Sequence, residues 1–258
     1  DTYSEHVGDS VPSVVTGKPV VLGGSLGRNE ATGRGLAYLV SETCRQIGLD
    51  LHGATAVVQG FGNVGMHAAT FLAEAGAKII GISDVSVALH NPGGLPIDKL
   101  KDYVRQHRQL FGCPYGEIIP SRDLLELQCD ILAPCALQNQ TTAENSSRIN
   151  CKIVAEGANG PTTLEADDML DARGIIVLPD ILTNAGGVVV SYFEWVQGLQ
   201  NLTWPLEEIN SRMREILTDA LSRTQRRAQA EKVDLRTAAM IEALSRVGAA
   251  NHLRGLFP

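Results

Sequence analysis

A chain of 258 residues with 44% hydrophobic and 20% charged residues is long enough to bury a large core, and a mean hydropathy of zero excludes a disordered chain. A formal charge of −7 leaves no basic footprint for nucleic acid, and no apolar run reaches the length that crosses a bilayer. A small-molecule partner is therefore expected, with no nucleic acid and no membrane. The five cysteines, Cys44, Cys113, Cys129, Cys135 and Cys151, show no CxxC spacing and no cysteine–histidine cluster, so they read as buried, reduced thiols of a cytoplasmic protein without a metal site.

The chain opens at Asp1 without methionine or signal peptide, and reads as a piece of a longer protein. Residues 1–28, ending in "TGKPVVLGGSLGR", are rich in Gly, Pro, Ser and Val and predict loop or short edge strand. From Asn29 onward Leu36, Leu39, Val40, Cys44 and Ile47 recur at helical spacing until Gly48 stops the run. Five short apolar runs follow: "ATAVVQ" (54–59), "KIIGIS" (78–83), "CDILA" (129–133), "CKIVAE" (151–156) and "GIIVL" (174–178). Fully apolar strands separated by helix-length segments predict a parallel sheet covered on both faces. After Asn184 the pattern turns helical, with helices in "NAGGVVVSYFEWVQGLQ", "WPLEEINSRMREILTDALSRTQRRAQAEK", where Pro205 sits near the first turn, and "DLRTAAMIEALSRVGAANHLR". The expected organisation is one α/β unit: a lead-in loop and helix over 1–53, a Rossmann-like, doubly wound, mostly parallel core over 54–183, and C-terminal helices over 184–258.

Within "VVQGFGNVG" the glycines Gly60, Gly62 and Gly65 make a GxGxxG turn. It follows a strand, precedes the helical run Val64–Ala75, and is followed by a second strand ending at Asp84, 19 residues after Gly65. In such a turn Gly60 permits the tight bend, Gly62 lets the backbone approach a pyrophosphate, and Gly65 lets helix and strand pack closely. The N–H groups of Asn63 and Val64 face the phosphates, with Phe61 inside the same turn. Asp84 stands where a carboxylate accepts adenosine ribose hydroxyls, and "DVSVALH" offers no cation for a 2′-phosphate, which favours NAD over NADP; the alternative is an aspartate that caps its own turn. The segments after the later strands, "APCALQN", "EGANGPTT" and "PDILTNAGG", fall at the ligand-binding edge of such a sheet. Asn159 and Asn184 are amides for the nicotinamide riboside or else turn formers. With a helix starting near Asn184, Asn184, Val188 and Ser191 share one face. Ser191 is then either a donor to a substrate carboxylate or bonded back to its own helix.

The stretches "TGKPVVLGGSLGRNEATGRG", "VVQGFGNVG", "LAPCALQNQ", "VAEGANGPTT" and "LPDILTNAGGVVVSYFEW" together resemble, in order and spacing, the coenzyme-binding domain of the glutamate dehydrogenases, over essentially the whole chain. The resemblance implies Arg28 and Thr32 in the coenzyme cleft, Thr32 on the nicotinamide carboxamide. It implies Asn63 and Val64 on the pyrophosphate, Asp84 on the adenosine ribose, and Ala133, Asn159 and Asn184 on the nicotinamide riboside. Ser191, beside Val188, is implied to bind the α-carboxylate of glutamate. In the related leucine, phenylalanine and valine dehydrogenases the position of Ser191 is typically asparagine, which counts against them. The implied reaction is oxidative deamination of L-glutamate to 2-oxoglutarate and ammonia with NAD or NADP, in an enzyme that is a homo-hexamer when full length.

The family's substrate domain, which supplies carboxylate-binding lysines, a lysine that activates water and an aspartate for proton transfer, precedes the matching region. The six lysines here, Lys18, Lys78, Lys99, Lys101, Lys152 and Lys232, do not match those positions. No catalytic residue is therefore expected in this chain. The competing reading is a stand-alone, non-catalytic dinucleotide-binding module.

Overall fold

The computed structural model describes residues 2–255. The N-terminal segment holds α1 (Thr2–Val7) and two 3-10 turns, Pro12–Val14 and Val20–Leu22. Of the loop or short edge strand expected over 1–28, the described residues take the loop, with α1 as a short helix the sequence did not signal and with no strand; Pro12 and Pro19 lack the N–H a ladder needs. α2 (Ala31–Gln46) follows, and Gly48 at φ 69° ends it. Then come β1 (Thr55–Gln59), α3 (Asn63–Glu74), β2 (Lys78–Ser83), β3 (Ala88–His90), α4 (Ile97–His107), β4 (Glu117–Ile119) and a 3-10 stretch at Ser121–Glu126. The second half runs through β5 (Ile131–Pro134), α5 (Ala143–Ser146), β6 (Ile153–Ala155), α6 (Leu164–Ala172), β7 (Ile176–Leu178), α7 (Asp180–Thr183), α8 (Gly186–Gln200), α9 (Leu206–Glu231) and α10 (Leu235–Arg254).

The seven strands form one sheet in the order β4-β3-β2-β1-β5-β6-β7. The five strands anticipated from apolar runs, β1, β2, β5, β6 and β7, are mutually parallel. Two short antiparallel strands, β3 and β4, extend the β2 edge and were not anticipated. Each has only three residues, too few for a period, and Asp84 closes the turn into β3 by accepting the Ser86 and Val87 N–H groups at 2.7 and 3.0 Å.

Strand β1 shows why a continuous apolar run means a covered sheet. Ala56, Val57 and Val58 are all fully buried; Ala56 and Val58 face one core cluster and Val57 the other. The first cluster is covered by α2, α3, α8 and α9, with Leu36, Leu39, Leu72 and Leu221 fully buried. Each such leucine contributes about 2 kcal/mol. The other cluster lies under Leu124, Leu125, Ile149 and Leu170.

Helix α2 lies close to its neighbours because glycines face the contacts. A Cβ on Gly33 would stand 2.5 Å from the Ala68 nitrogen of α3, and one on Gly186 would stand 2.2 Å from the Ala31 carbonyl oxygen. This draws the starts of α2, α3 and α8 together at the edge of the sheet where β1 ends. The N-terminal segment is clasped to α8: Glu194, fully buried, accepts the N–H groups of Gly17 and Lys18 at 3.0 and 3.2 Å and the Lys18 ammonium at 2.6 Å.

Candidate coenzyme cleft

The chain leaves β1 for β2 on one side and later returns to β5 on the other, so the strand order reverses between β1 and β5. Open α/β sheets bind ligands at that switch point, beyond the carboxyl ends of the strands. The Gly60–Gly65 turn lies there, and its glycines differ in what requires them. Gly60 sits at φ 95°, and a Cβ on it would stand 3.1 Å from the backbone of Cys135 and Ala136. A Cβ on Gly65 would stand 1.9 Å from the Gly60 carbonyl oxygen. Gly62 has φ −77° and ψ −163°, conformations any residue adopts, and a Cβ there meets nothing within 4 Å. The fold itself needs glycine at the first and third positions, and nothing in it requires glycine at the second. Asn63 and Val64 open α3 ahead of its first helical hydrogen bond, from Met66 N–H to Gly62 C=O, so their N–H groups point out of the helix end. The Asn63 amide donates to the Asn29 carbonyl at 2.7 Å, which ties the turn to the approach of α2.

Beside the turn opens a cleft of about 700 Å³. Arg28 and Thr32 line it from the start of α2, Val64 from α3, Cys135–Gln138 from the loop after β5, and Gly157–Asn159 from the loop after β6. Asn184, Gly187, Val188 and Ser191 close its remaining side. Seven residues singled out in the sequence, Arg28, Thr32, Val64, Asn159, Asn184, Val188 and Ser191, thus meet in one cavity. The helix expected to begin near Asn184 is α8, which starts two residues on at Gly186, while Asn184 itself caps α7. Its amide donates to Asn159 Oδ1 at 2.7 Å. Ser191 accepts the Arg28 Nε–H at 2.6 Å across the cleft. Gly187 makes room for this meeting, since a Cβ there would stand 2.5 Å from the Thr32 hydroxyl.

Other expected residues lie outside that cavity. Ala133 is fully buried within β5, paired with Val58, and the residues two to five positions further on line the cleft instead. Phe61 is 4% exposed and belongs to the core. Asp84 stands level with Gly60, because Gln59 pairs with Ser83. Its carboxylate is already engaged: Oδ1 accepts Ser86 N–H, Ser86 hydroxyl and Val87 N–H, and Oδ2 accepts Leu110 N–H at 2.6 Å. Burial opposes its ionisation, but these bonds outweigh burial and hold the carboxyl below its ordinary range. Asp84 thus does the turn-capping work, with one oxygen carrying a single donor and able to take a second.

Arg28 is the one formally charged side chain among the cleft-lining residues. Burial pushes the thiol of Cys135, beside Gly157, up to about 12. Among the described residues no cluster of three His, Cys, Asp or Glu side chains could hold a metal ion. All five cysteines are free, three of them buried and Cys135 and Cys151 half-buried.

The sequence model of the Glutamate/Leucine/Phenylalanine/Valine dehydrogenase family matches residues 23–255. The chain belongs to this dehydrogenase family. It is 47% identical to the glutamate dehydrogenase of Thermotoga maritima, over 100% of this chain and 62% of that protein. It is 45% identical to the NAD-specific glutamate dehydrogenase of Staphylococcus aureus, over 99% of this chain and 61% of that protein. The crystal structure of the hetero-hexameric glutamate dehydrogenase of Thermus thermophilus, in its leucine-bound form, superposes with a TM-score of 0.94 at 34% identity, over 100% of this chain and 61% of that one. The chain therefore spans about three fifths of the length of these relatives. No described helix is long and apolar enough to cross a membrane.

Proposed function

We propose that this chain is the coenzyme-binding part of an NAD-dependent glutamate dehydrogenase, with NADP as the weaker coenzyme, acting on L-glutamate, 2-oxoglutarate and ammonia in a homo-hexameric whole protein. The observation that carries the reading is Gly62: a glycine that nothing in the fold requires, placed between two that it does, at the switch point of a doubly wound sheet. The names of the relatives support glutamate and NAD. Bound nicotinamide coenzyme supplies a hydride acceptor, which no protein side chain offers.

The residues divide the work. Asn63 and Val64 bind the pyrophosphate with backbone N–H groups and the positive end of α3, next to Gly60, Phe61, Gly62 and Gly65. The free lone pairs of Asp84 Oδ2 take a ribose hydroxyl, and the carboxylate repels a 2′-phosphate. Thr32, Asn159 and Asn184 hydrogen-bond the nicotinamide riboside, with the backbone beyond Ala133 forming the floor. Val188 gives an apolar wall to the substrate, and Ser191, held by Arg28, donates its hydroxyl proton to the substrate α-carboxylate beside that guanidinium.

Equilibrium titration of the 258-residue chain with NADH and NADPH tests the reading. Saturable NADH binding, tighter than NADPH, is expected, and replacing Asp84 by alanine should narrow the gap between the two. Absence of binding by either coenzyme would overturn the proposal.

A further inference from the structure

We infer that Arg236, in the first turn of α10, is a positioning residue that sets the nicotinamide end of the cleft; the inference rests on the coenzyme reading above. Arg236 reaches Glu156, a fully buried carboxylate just past the end of β6, with two parallel hydrogen bonds of 2.8 and 3.0 Å. Its Nε–H donates to Asp167 at 2.5 Å. Glu156 also accepts the backbone N–H of Asp180 at 2.8 Å, and an Arg236 terminal nitrogen lies 3.6 Å from Asp180 Oδ1. The other oxygen of Asp180 accepts the backbone N–H of Gly160 at 2.7 Å.

The cluster therefore ends on two loop termini rather than on the sheet. Gly160 directly follows Asn159, and Asp180 begins the four-residue helix α7 that Asn184 caps. A shift of Asp180 moves both asparagines, and their mutual 2.7 Å hydrogen bond fixes which amide groups remain for a ligand. Arg236 suits this because a planar guanidinium holds a carboxylate in one orientation, as a lysine ammonium does not. The residue lies far from the cleft in sequence and acts through Glu156 and Asp180, touching no ligand itself.

The test compares NADH with ADP-ribose, which keeps the adenosine and pyrophosphate but lacks nicotinamide, on the unmodified chain and on Arg236→Lys and Asp180→Ala. Each variant should bind NADH about tenfold more weakly, the scale of one or two misplaced hydrogen bonds, with ADP-ribose affinity within about twofold. Retained ADP-ribose binding also reports an intact fold. Parallel weakening of both ligands, or no change in either, overturns the positioning role while leaving the coenzyme reading standing. Failure of the unmodified chain to bind both ligands overturns the coenzyme reading and this inference together. Arg236→Lys keeps the buried positive charge that Glu156 needs, so it is the variant that decides if Asp180→Ala fails to fold.

Discussion

Gly62 and Asp84 stand at the ends of two neighbouring strands and carry opposite lessons. At Gly62 the backbone is extended and a side chain would enter empty space. Gly62→Val should accordingly leave stability within about 1 kcal/mol, as expected of a backbone that any residue can adopt. The branched side chain would occupy the approach to the Asn63 and Val64 N–H groups. Two charge-assisted hydrogen bonds at about 1.5 kcal/mol or more each are lost, which lowers NADH affinity by about a hundredfold or more. Urea unfolding paired with NADH titration checks both halves, and a variant that keeps NADH affinity would show that the pyrophosphate lies elsewhere. The glycine turn was legible in the sequence because its spacing and its place between strand and helix are local. Asp84 was only half legible: its position after the second strand was evident, but its engagement by Leu110, 26 residues onward, left no local signal.

Among the elements, the parallel strands could be read because burial on both faces leaves a continuous apolar run, whereas three-residue β3 and β4 carry too little pattern to register. The same holds for the split between α7 and α8, where Ala185 keeps helical dihedrals and the sequence reads through. The clasp between the N-terminal segment and α8 was also invisible, since Lys18 and Glu194 are 176 residues apart. It nonetheless fixes the stretch that delivers Arg28. Burial raises the cost of charging Glu194, but Lys18 and the Gly17 and Lys18 N–H groups outweigh it, so its carboxyl lies below the ordinary range. A depressed folded value means stability present above the unfolded carboxylate value, about 4.3, and lost as pH falls through the lower folded one. Glu194→Gln should cost about 3 kcal/mol at pH 7, as for one partner of a buried pair. The gap to the unmodified protein should close as pH falls through the acid range. Urea midpoints of both proteins from pH 7 to 3 measure this; a pH-independent gap would mean that Glu194 acts by shape and not by charge.

Taken whole, the molecule builds its cleft from segments as distant as Arg28 and Ser191, joined by their own hydrogen bond and by the close packing of α8 on α2; the doubly wound pattern made the strand-end loops readable, whereas Arg28 and Thr32 were reached only through the family resemblance. Arg236 had no such signal, because the buried cluster that links α10 to the cleft follows no motif. For the proposed reaction, the residues that line the cleft also carry a prediction. Removing a hydride from the α-carbon of an amino acid leaves an amine proton to be taken up and a water to be activated, and both need a group that exchanges protons near neutral pH. The cleft-lining residues include no lysine, histidine or carboxylate, and burial pushes the Cys135 thiol up to about 12. The 258-residue chain should therefore bind NADH saturably and yet form none from glutamate and NAD. Absorbance at the reduced-nicotinamide band, followed with purified chain at saturating glutamate and NAD, checks this against a no-protein blank. A steady rate that scales with chain concentration and vanishes in the Gly62→Val variant would show that some group of this chain moves the proton, and the division of labour argued from the cleft would be wrong.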